Sequence, residues 1–410
     1  MESGHDLAEK IQQKTIKTLA SAQVLNGIGV AGTVAAGSLL VSSITNSETL
    51  AGLAQTFSVM GAAALAIPLT KFTNYGGRRL ALSIGYFAGF LGSIFAILGG
   101  VYRNIYLMLI GTFLVGAASA AGYQARFAAI DLVSNETKAR QLSFVVWAST
   151  IGAVLGPNLM NPSSKLSLNL GLPALVGPYL ISGITLLIAT IVIFLFLRPD
   201  PYLTLQNQNK LMKINQKTIK ETFSHIVVNP KALFAILSIA IGHVAMVSVM
   251  VMTPVHMAHV DVKLIVIGFV ISVHILGMYA FSPLVGTISD KYGKINAIRL
   301  GIFILILSML IAGFANASDS FVLGIGLFLL GLGWSFTLIA GSTFLNDSIS
   351  IEFKTSSQGT SDLIMNLAGA LGGALAGVII GFLSYGWLCL FASIPVVLLG
   401  IYSFKDNINL

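Results

Sequence analysis

The sequence predicts an all-α integral membrane protein with 12 transmembrane helices arranged as two six-helix bundles. Three observations lead there. The chain has 410 residues, of which 55% are hydrophobic and 9% charged, whereas a soluble domain carries ~25% charged residues. Its apolar residues gather in separate continuous stretches, each close to the ~20 residues that cross a bilayer as a helix. Finally, Asp131-x-x-Ser134-x-Glu136-x-Lys138 recurs 216 residues later as Asp347-x-x-Ser350-x-Glu352-x-Lys354. The same shift carries Gly77 onto Gly293, and 216 is close to half of 410. One half is built twice.

Each element follows from these patterns. A membrane β-barrel alternates apolar and polar residues, and these stretches are continuously apolar, so helices are expected. Twelve spans fall at roughly 18–43, 49–71, 79–101, 104–130, 140–160, 174–197, 232–258, 263–286, 295–315, 320–344, 358–382 and 384–404. Residues 1–17 read as a cytoplasmic N-terminal segment, polar and unlike a cleavable signal peptide, which suits a short amphipathic helix. Residues 18–197 make the first bundle, 198–231 a cytoplasmic central loop, 232–404 the second bundle and 405–410 a cytoplasmic tail. Many of the 42 glycines lie inside apolar runs such as 369–377 (GALGGALAG). Small residues of this kind let helix backbones approach in lipid.

Charge sets the orientation. With the N-terminus inside, 20 of the 23 Lys and Arg fall on the inner side, and only Arg103, Lys165 and Lys263 fall outside. That bias places both termini in the cytoplasm, and we expect the chain in the plasma or inner membrane. The formal charge of +8 is therefore a topology signal, with no nucleic-acid partner implied. A single cysteine, Cys389, leaves no disulfide or cysteine-based metal cluster. No phosphate-binding Gly-x-x-x-x-Gly-Lys-Ser/Thr loop and no nucleophile–base constellation is present, so neither ATP-driven pumping nor enzyme activity is expected.

Several motifs bear on a family. The loop after span eight reads Gly286-Thr-Ile-Ser-Asp290-Lys291-Tyr-Gly293-Lys294, which closely resembles the Gly-x-Leu-x-Asp-Arg-x-Gly-Arg loop of the major facilitator superfamily. The matching first-half loop carries Asn74, Gly77, Arg78 and Arg79, with Asn74 and Thr70 standing where the family has Asp and Gly. Span five contains Gly152-Ala-Val-Leu-Gly156-Pro157, resembling the Gly-Pro segment of antiporters. Two parallel six-span halves are also the arrangement of that superfamily. The resemblance covers essentially the whole chain and leans toward twelve-span drug–proton antiporters. It implies alternating access, a small-molecule substrate, a proton as coupling ion, the lipid bilayer as surroundings and no cofactor; we expect a monomer.

The residues themselves suggest roles. Asp290 can approach the N-terminus of span eleven (Gln358, Gly359, Thr360, Ser361), where a carboxylate is favoured by ~0.3–1 kcal/mol. Arg78, Arg79, Glu136 and Arg140 would form a first-half charge cluster, and Lys291, Lys294 and Glu352 its second-half counterpart. Asp131 and Asp347 sit at cytoplasmic span ends and read as gate residues. Solvated loop charges that only fix topology are the alternative. Asn74 carries no charge, so the gate should be stronger in the second half. Gly152, Gly156 and Pro157 would let span five bend and pack closely, or serve ordinary small-residue packing.

Ionisable groups inside a membrane are functional candidates by default. Span one holds no acid; Gln23 and Asn26 lie near its inner end. Asp362 lies one turn into span eleven. His243 and His274 fall near the midplane of spans seven and eight and could relay protons, or be neutral, hydrogen-bonded packing residues. His256 and His259 flank the outer end of span seven; interfacial solvation explains them better than a metal, and no metal site is expected. Arg126, with Tyr123 and Gln124, could contact an anionic or polar substrate group. Alternatively it snorkels to headgroups or pairs with Asp131 or Asp347. Trp147, Ser149, Thr150, Trp334 and Asn366 could line the cavity. Efflux of a small amphiphilic molecule is the leading expectation. Uptake or facilitated diffusion of a small solute stays open, as does a non-transporting sensor or lipid-handling role.

Overall fold

Helices account for nearly all of the computed structural model, which describes residues 4–46, 50, 52–208, 218–258 and 260–409, and no strand occurs among them. In chain order they are α1 (Gly4–Thr45), α2 (Leu53–Val101), α3 (Ile105–Ala128), α4 (Lys138–Asn158), α5 (Met160–Asn169), α6 (Gly177–Phe196), α7 (Pro201–Gln208) and α8 (Ile219–Val228). They continue as α9 (Pro230–Ala258), α10 (Leu264–Tyr279), α11 (Ser282–Tyr292), α12 (Lys294–Phe314), α13 (Ser320–Ser348), α14 (Lys354–Phe382), α15 (Tyr385–Tyr402) and α16 (Asp406–Asn409). Among the described residues, ten stretches are long and apolar enough to cross a membrane, and the pair α4–α5, bent by 52°, supplies one more. The 49-residue α2 is broken at Gly76 and Gly77, which makes it two crossings. Twelve crossings result.

The break in α2 has a local cause. Gly77 adopts φ +82, a left-handed conformation that only glycine reaches without strain. A Cβ there would also strike the Asp200 carboxylate. The bend between α4 and α5 follows Pro157, whose ring removes a backbone donor and crowds the preceding turn.

The chain divides into two compact units: Met1–Val133 with Phe144–Gln216, and Ser134–Ser143 with Lys217–Leu410. The stretch 134–143, which the repeat assigns to the first half, thus clusters with the second unit. In unit 1, α2 packs on α3 and α6, and α1 on α6 and α3. In unit 2 the corresponding pairs recur: α12 on α13 and α15, α9 on α15 and α13. A shift of 216 residues thus preserves helix pairing as well as motif letters.

Glycine decides the closest approaches. A Cβ on Gly27 would lie 2.9 Å from the Gly152 Cα, and one on Gly32 would lie 3.2 Å from the Gly156 carbonyl oxygen. The α1 and α4 backbones therefore touch with no side chain between them. Beside them, Ala36, Leu40, Val41, Met108, Val176 and Tyr179 form a buried apolar cluster.

Four expectations require correction. Residues 4–17 form no separate amphipathic helix but are the first turns of α1, because nothing between residues 4 and 45 breaks the helix. Span eight is not continuous; it breaks at Ala280–Phe281 into α10 and α11, since Pro283 cannot supply the amide that would continue the ladder. The motif residues 286–292 are helical within α11. The central loop carries α7 and α8, the latter closed by a capping box in which Thr218 and Glu221 satisfy each other's amides.

Gly152→Leu should overpack the α1–α4 crossing and destabilise by about 1–3 kcal/mol, seen as a lower melting temperature of purified protein. Gly381→Leu, at a position with open space around it, should leave the melting temperature unchanged.

Candidate functional site

Charged groups concentrate at helix ends, and each unit builds one cluster around an aspartate of the repeated signature. In unit 1, Arg78 follows the α2 break and reaches Asp131 just beyond α3. Its Nε donates to Asp131 Oδ2 at 2.7 Å and its Nη2 to Oδ1 at 3.1 Å. The side chains are 1% and 2% exposed. Both oxygens of Asp131 are thereby used in a two-point fork, the strongest geometry available to this pair of residues. Burial in flanking protein pushes the cost of leaving either partner alone to ~3–5 kcal/mol. Gln124 Oε1 accepts from Arg78 Nη1 at 3.4 Å.

Two residues from the central loop complete this cluster. Asp200 Oδ2 accepts from the Arg79 amide at 2.7 Å, while its Oδ1 accepts from the Tyr202 and Leu203 amides that open α7. One carboxylate thus caps two helix starts, where positive peptide dipoles favour it. Tyr202 donates its hydroxyl to Asn74 Oδ1 at 3.1 Å. Sequence reasoning passed over Asp200 and Tyr202. An Asp-Pro pair at a helix start was the available signal, but it says nothing about a partner 121 residues away.

In unit 2 the same positions recur with different chemistry. Lys294 stands 216 residues after Arg78 and pairs with Asp347, the counterpart of Asp131. Asp347 also accepts from Lys138 Nζ at 2.7 Å. One carboxylate meets two point charges, and the side chains are more open, at 8% for Lys138, 16% for Lys294 and 19% for Asp347. Asp290, the counterpart of Asn74, accepts from the Ala139 amide at 3.0 Å and the Arg140 amide at 2.8 Å. Gly286 lies one turn before it, where a Cβ would press on Ala139 and Ser143.

This geometry corrects several expectations. Asp290 sits at the N-terminus of α4, not of α14, because α14 begins earlier, at Lys354, and Gln358–Ser361 lie within its helix. Glu136 and Glu352 join neither cluster: Glu136 is exposed, and neither makes an ion pair among the described residues. Arg140 contributes its amide to Asp290, whereas Arg79 lays its guanidinium over Phe194 at 5.5 Å and Lys291 lies over Tyr292 at 5.1 Å. Gly293 has φ +89 with open space around it and separates α11 from α12.

Inside the helices the polar groups are mostly neutral. Arg126 does not snorkel. It is 2% exposed, donates through Nη1 to the Tyr123 carbonyl at 3.0 Å and lies 4.6 Å from the Phe127 ring centre. Gln23 Nε2 donates to Ser149 Oγ at 3.0 Å. The Gln23 and Asn26 amides both crowd Gly122, and their side-chain oxygens are buried without a hydrogen-bond donor. Trp147 is 40% exposed and stands apart from that group.

The two midplane histidines take different partners. Trp334 Nε1 donates to His243 Nδ1 at 3.1 Å, and Tyr279 meets the Trp334 ring edge-on at 5.7 Å. An indole N–H only donates, so the neutral imidazole of His243 carries its hydrogen on Nε2. A Cβ on Gly369 would fall 2.6 Å from the His243 ring, so α14 closes over it; Asn366 on the same helix bonds back to the Asp362 carbonyl. His274 Nδ1 donates to the Leu327 carbonyl at 2.8 Å. Positions 327 and 334 lie about two turns apart on α13, ~10 Å, and no hydrogen bond joins the histidines. His256 stacks on Tyr385 at 4.3 Å, while His259 lies outside the described residues. No group of three metal-ligating side chains occurs among the described residues.

The two ion clusters should differ in weight. Asp131→Asn should lower stability by about 3 kcal/mol or more, because it strands a buried guanidinium. Lys294→Gln, at a more open site with Lys138 still on Asp347, should cost about 1 kcal/mol or less. Denaturant titration of the purified variants measures both.

A family model described as Major Facilitator Superfamily matches residues 19–360 and 249–407. The uncharacterized MFS-type transporter YddS of Bacillus subtilis strain 168 is 32% identical over 95% of this chain and 90% of its own. The riboflavin transporter RfnT of Brucella anthropi is 24% identical, covering 92% of this chain and 90% of its own. Among solved structures, the Escherichia coli fucose:proton symporter FucP superposes with a TM-score of 0.72 at 16% identity, over 95% of this chain and 97% of that one. Twelve membrane crossings in two repeated units, the glycine-marked loops and these matches agree: the chain belongs to the Major Facilitator Superfamily and is a multi-pass membrane transporter, not an enzyme.

Proposed function

We propose that the protein exports a small amphiphilic molecule by alternating access, driven by proton entry, with both termini cytoplasmic and the chain acting as a monomer in the cell membrane. The single observation that carries the coupling is the His243–Trp334 hydrogen bond, deep in unit 2. Histidine can change charge near physiological pH, and the Trp334 N–H points at Nδ1, the atom where a second proton would bind. Taking up a proton at Nδ1 requires the indole to leave. That ties protonation to a side-chain rearrangement on α13, next to Tyr279 and Gly369. His274 has a structural bond to the α13 backbone and does not extend this into a relay.

Asp290 supplies a breakable contact at the lysine-rich face. Its interaction with the first amides of α4 is modest, up to ~2 kcal/mol for a charge at a partly buried helix end, which suits a contact that opens in every cycle. The Arg78–Asp131 fork is too deeply buried to break readily and serves as a fixed support. Within unit 1 the candidates for substrate contact are Asn26, Tyr123, Gln124 and Arg126; taken by itself, unit 2 offers Asp362 and Asn366 as candidate polar groups.

Uptake of a polar planar solute is the second reading. The unsatisfied Gln23 and Asn26 amide oxygens would accept from such a solute, and RfnT, 24% identical, is described as a riboflavin transporter.

Reconstitution into liposomes with an imposed pH gradient tests both readings, using amphiphilic dyes and riboflavin as probes. The expected outcome is dye movement against its gradient, abolished by His243→Ala and reduced several-fold by Trp334→Phe. Gradient-independent transport of either probe would remove proton coupling. For the gate, Asp290→Asn in a Cys389→Ala background should raise thiol-reagent labelling at Arg140→Cys; unchanged labelling would take the gate role from Asp290.

A further inference from the structure

Helix α8 presents an outward face that its own bundle does not cover. Its inner side is firmly held: Thr222 and Ile226 are 0% and 2% exposed, and His225 stacks on Phe353 at 4.3 Å with the rings 4° from parallel. Just beyond its end, Asn229 Nδ2 donates to the Ser348 carbonyl at 2.9 Å. The opposite side carries Phe223 at 54% exposure and Val227 at 51%, with Lys220 one turn before Phe223. Positions 220, 223 and 227 share one helix stripe. Water gains nothing from a phenylalanine and a valine held open in this way.

We propose that this stripe docks on the surface of a bilayer rich in anionic phospholipid. Charge and position both point to that occupant. The chain from 209 to 231 holds five lysines against one acid, Glu221, and Glu221 is already committed to the Thr218 cap. Two residues after α8 ends, Pro230 opens the membrane-crossing α9, so the stripe lies at the level where acyl chains meet headgroups. A short helix with apolar residues on one stripe and lysine beside them suits that boundary. Its fixed inner side ties the docked helix to Ser348 and Phe353, which flank the turn after Asp347. Lipid charge would thereby bear on the cluster around that aspartate.

The test uses the full chain in vesicles and makes no use of transport, so its failure leaves the export reading untouched. In a Cys389→Ala background, a fluorophore is attached at Phe223→Cys. In vesicles containing phosphatidylglycerol, the expected result is quenching by lipids brominated on their acyl chains and at least twofold protection from iodide in solution. Lys220→Glu should reduce the bromolipid quenching at least twofold, and pure phosphatidylcholine should do the same. Full iodide access in both lipids overturns the proposal. So does protection without bromolipid quenching, which would put protein on the stripe, and so does quenching indifferent to lipid charge.

Discussion

Hydrocarbon offers no partner to a charge or a backbone amide, and that constraint arranges everything else in this protein. Helices satisfy their own backbones, and charge is driven to their ends. The aspartates of the repeated signature consequently sit where crossings emerge, and each finds a cation 53 residues earlier in its own repeat. Gly76, Gly77 and Gly293 serve the same end from the backbone side. They break the helix so that the cation just after them can face the aspartate.

The two repeats then solve one problem in two ways. Arg78 grips Asp131 through two bonds and excludes water. Lys138 and Lys294 share Asp347 as point charges at a more open site, with side chains 8–19% exposed. Guanidinium and ammonium are not interchangeable here, since only the former matches both carboxylate oxygens at once. Unit 1 therefore holds a closed two-bond pair and unit 2 a more open three-residue cluster, and within unit 2 Asp290 also accepts from the first amides of α4. The more buried and more fully bonded ion pair is the first-half one, Arg78–Asp131, whereas the contrast of Asn74 with Asp290 in the sequence points to a stronger second-half contact. Asn74 is not idle, however: it accepts from Tyr202.

The membrane interior is nearly bare of charge among the described residues, and its chemistry is correspondingly soft. His243 is defined by a tryptophan donor, Arg126 by aromatic faces and a carbonyl, Gln23 and Asn26 by the bare backbone of Gly122. Interactions of this kind shift with small rotations of helices or rings. They suit a protein that must be stable in more than one arrangement, whereas a deep ion pair at the same depth would lock one of them.

Composition and periodicity by themselves determined the helical membrane class, the twelve crossings, the doubled half and the matched positions of Gly77 and Gly293, which break the helices. Those features depend on local physics: an apolar stretch needs only its own length to span, and a repeat is visible in its letters. Partner choice was another matter. The Asp290 bond to α4, the Asp200 cap on Arg79, the bypassing of Glu136 and Glu352, and the Trp334 hydrogen bond to His243 all join residues dozens to over a hundred positions apart. Spacing along the chain does not encode which helix ends come together or which way a ring nitrogen faces. The fold decided those, because a carboxylate or an imidazole takes whichever donor the packed helices bring within ~3 Å.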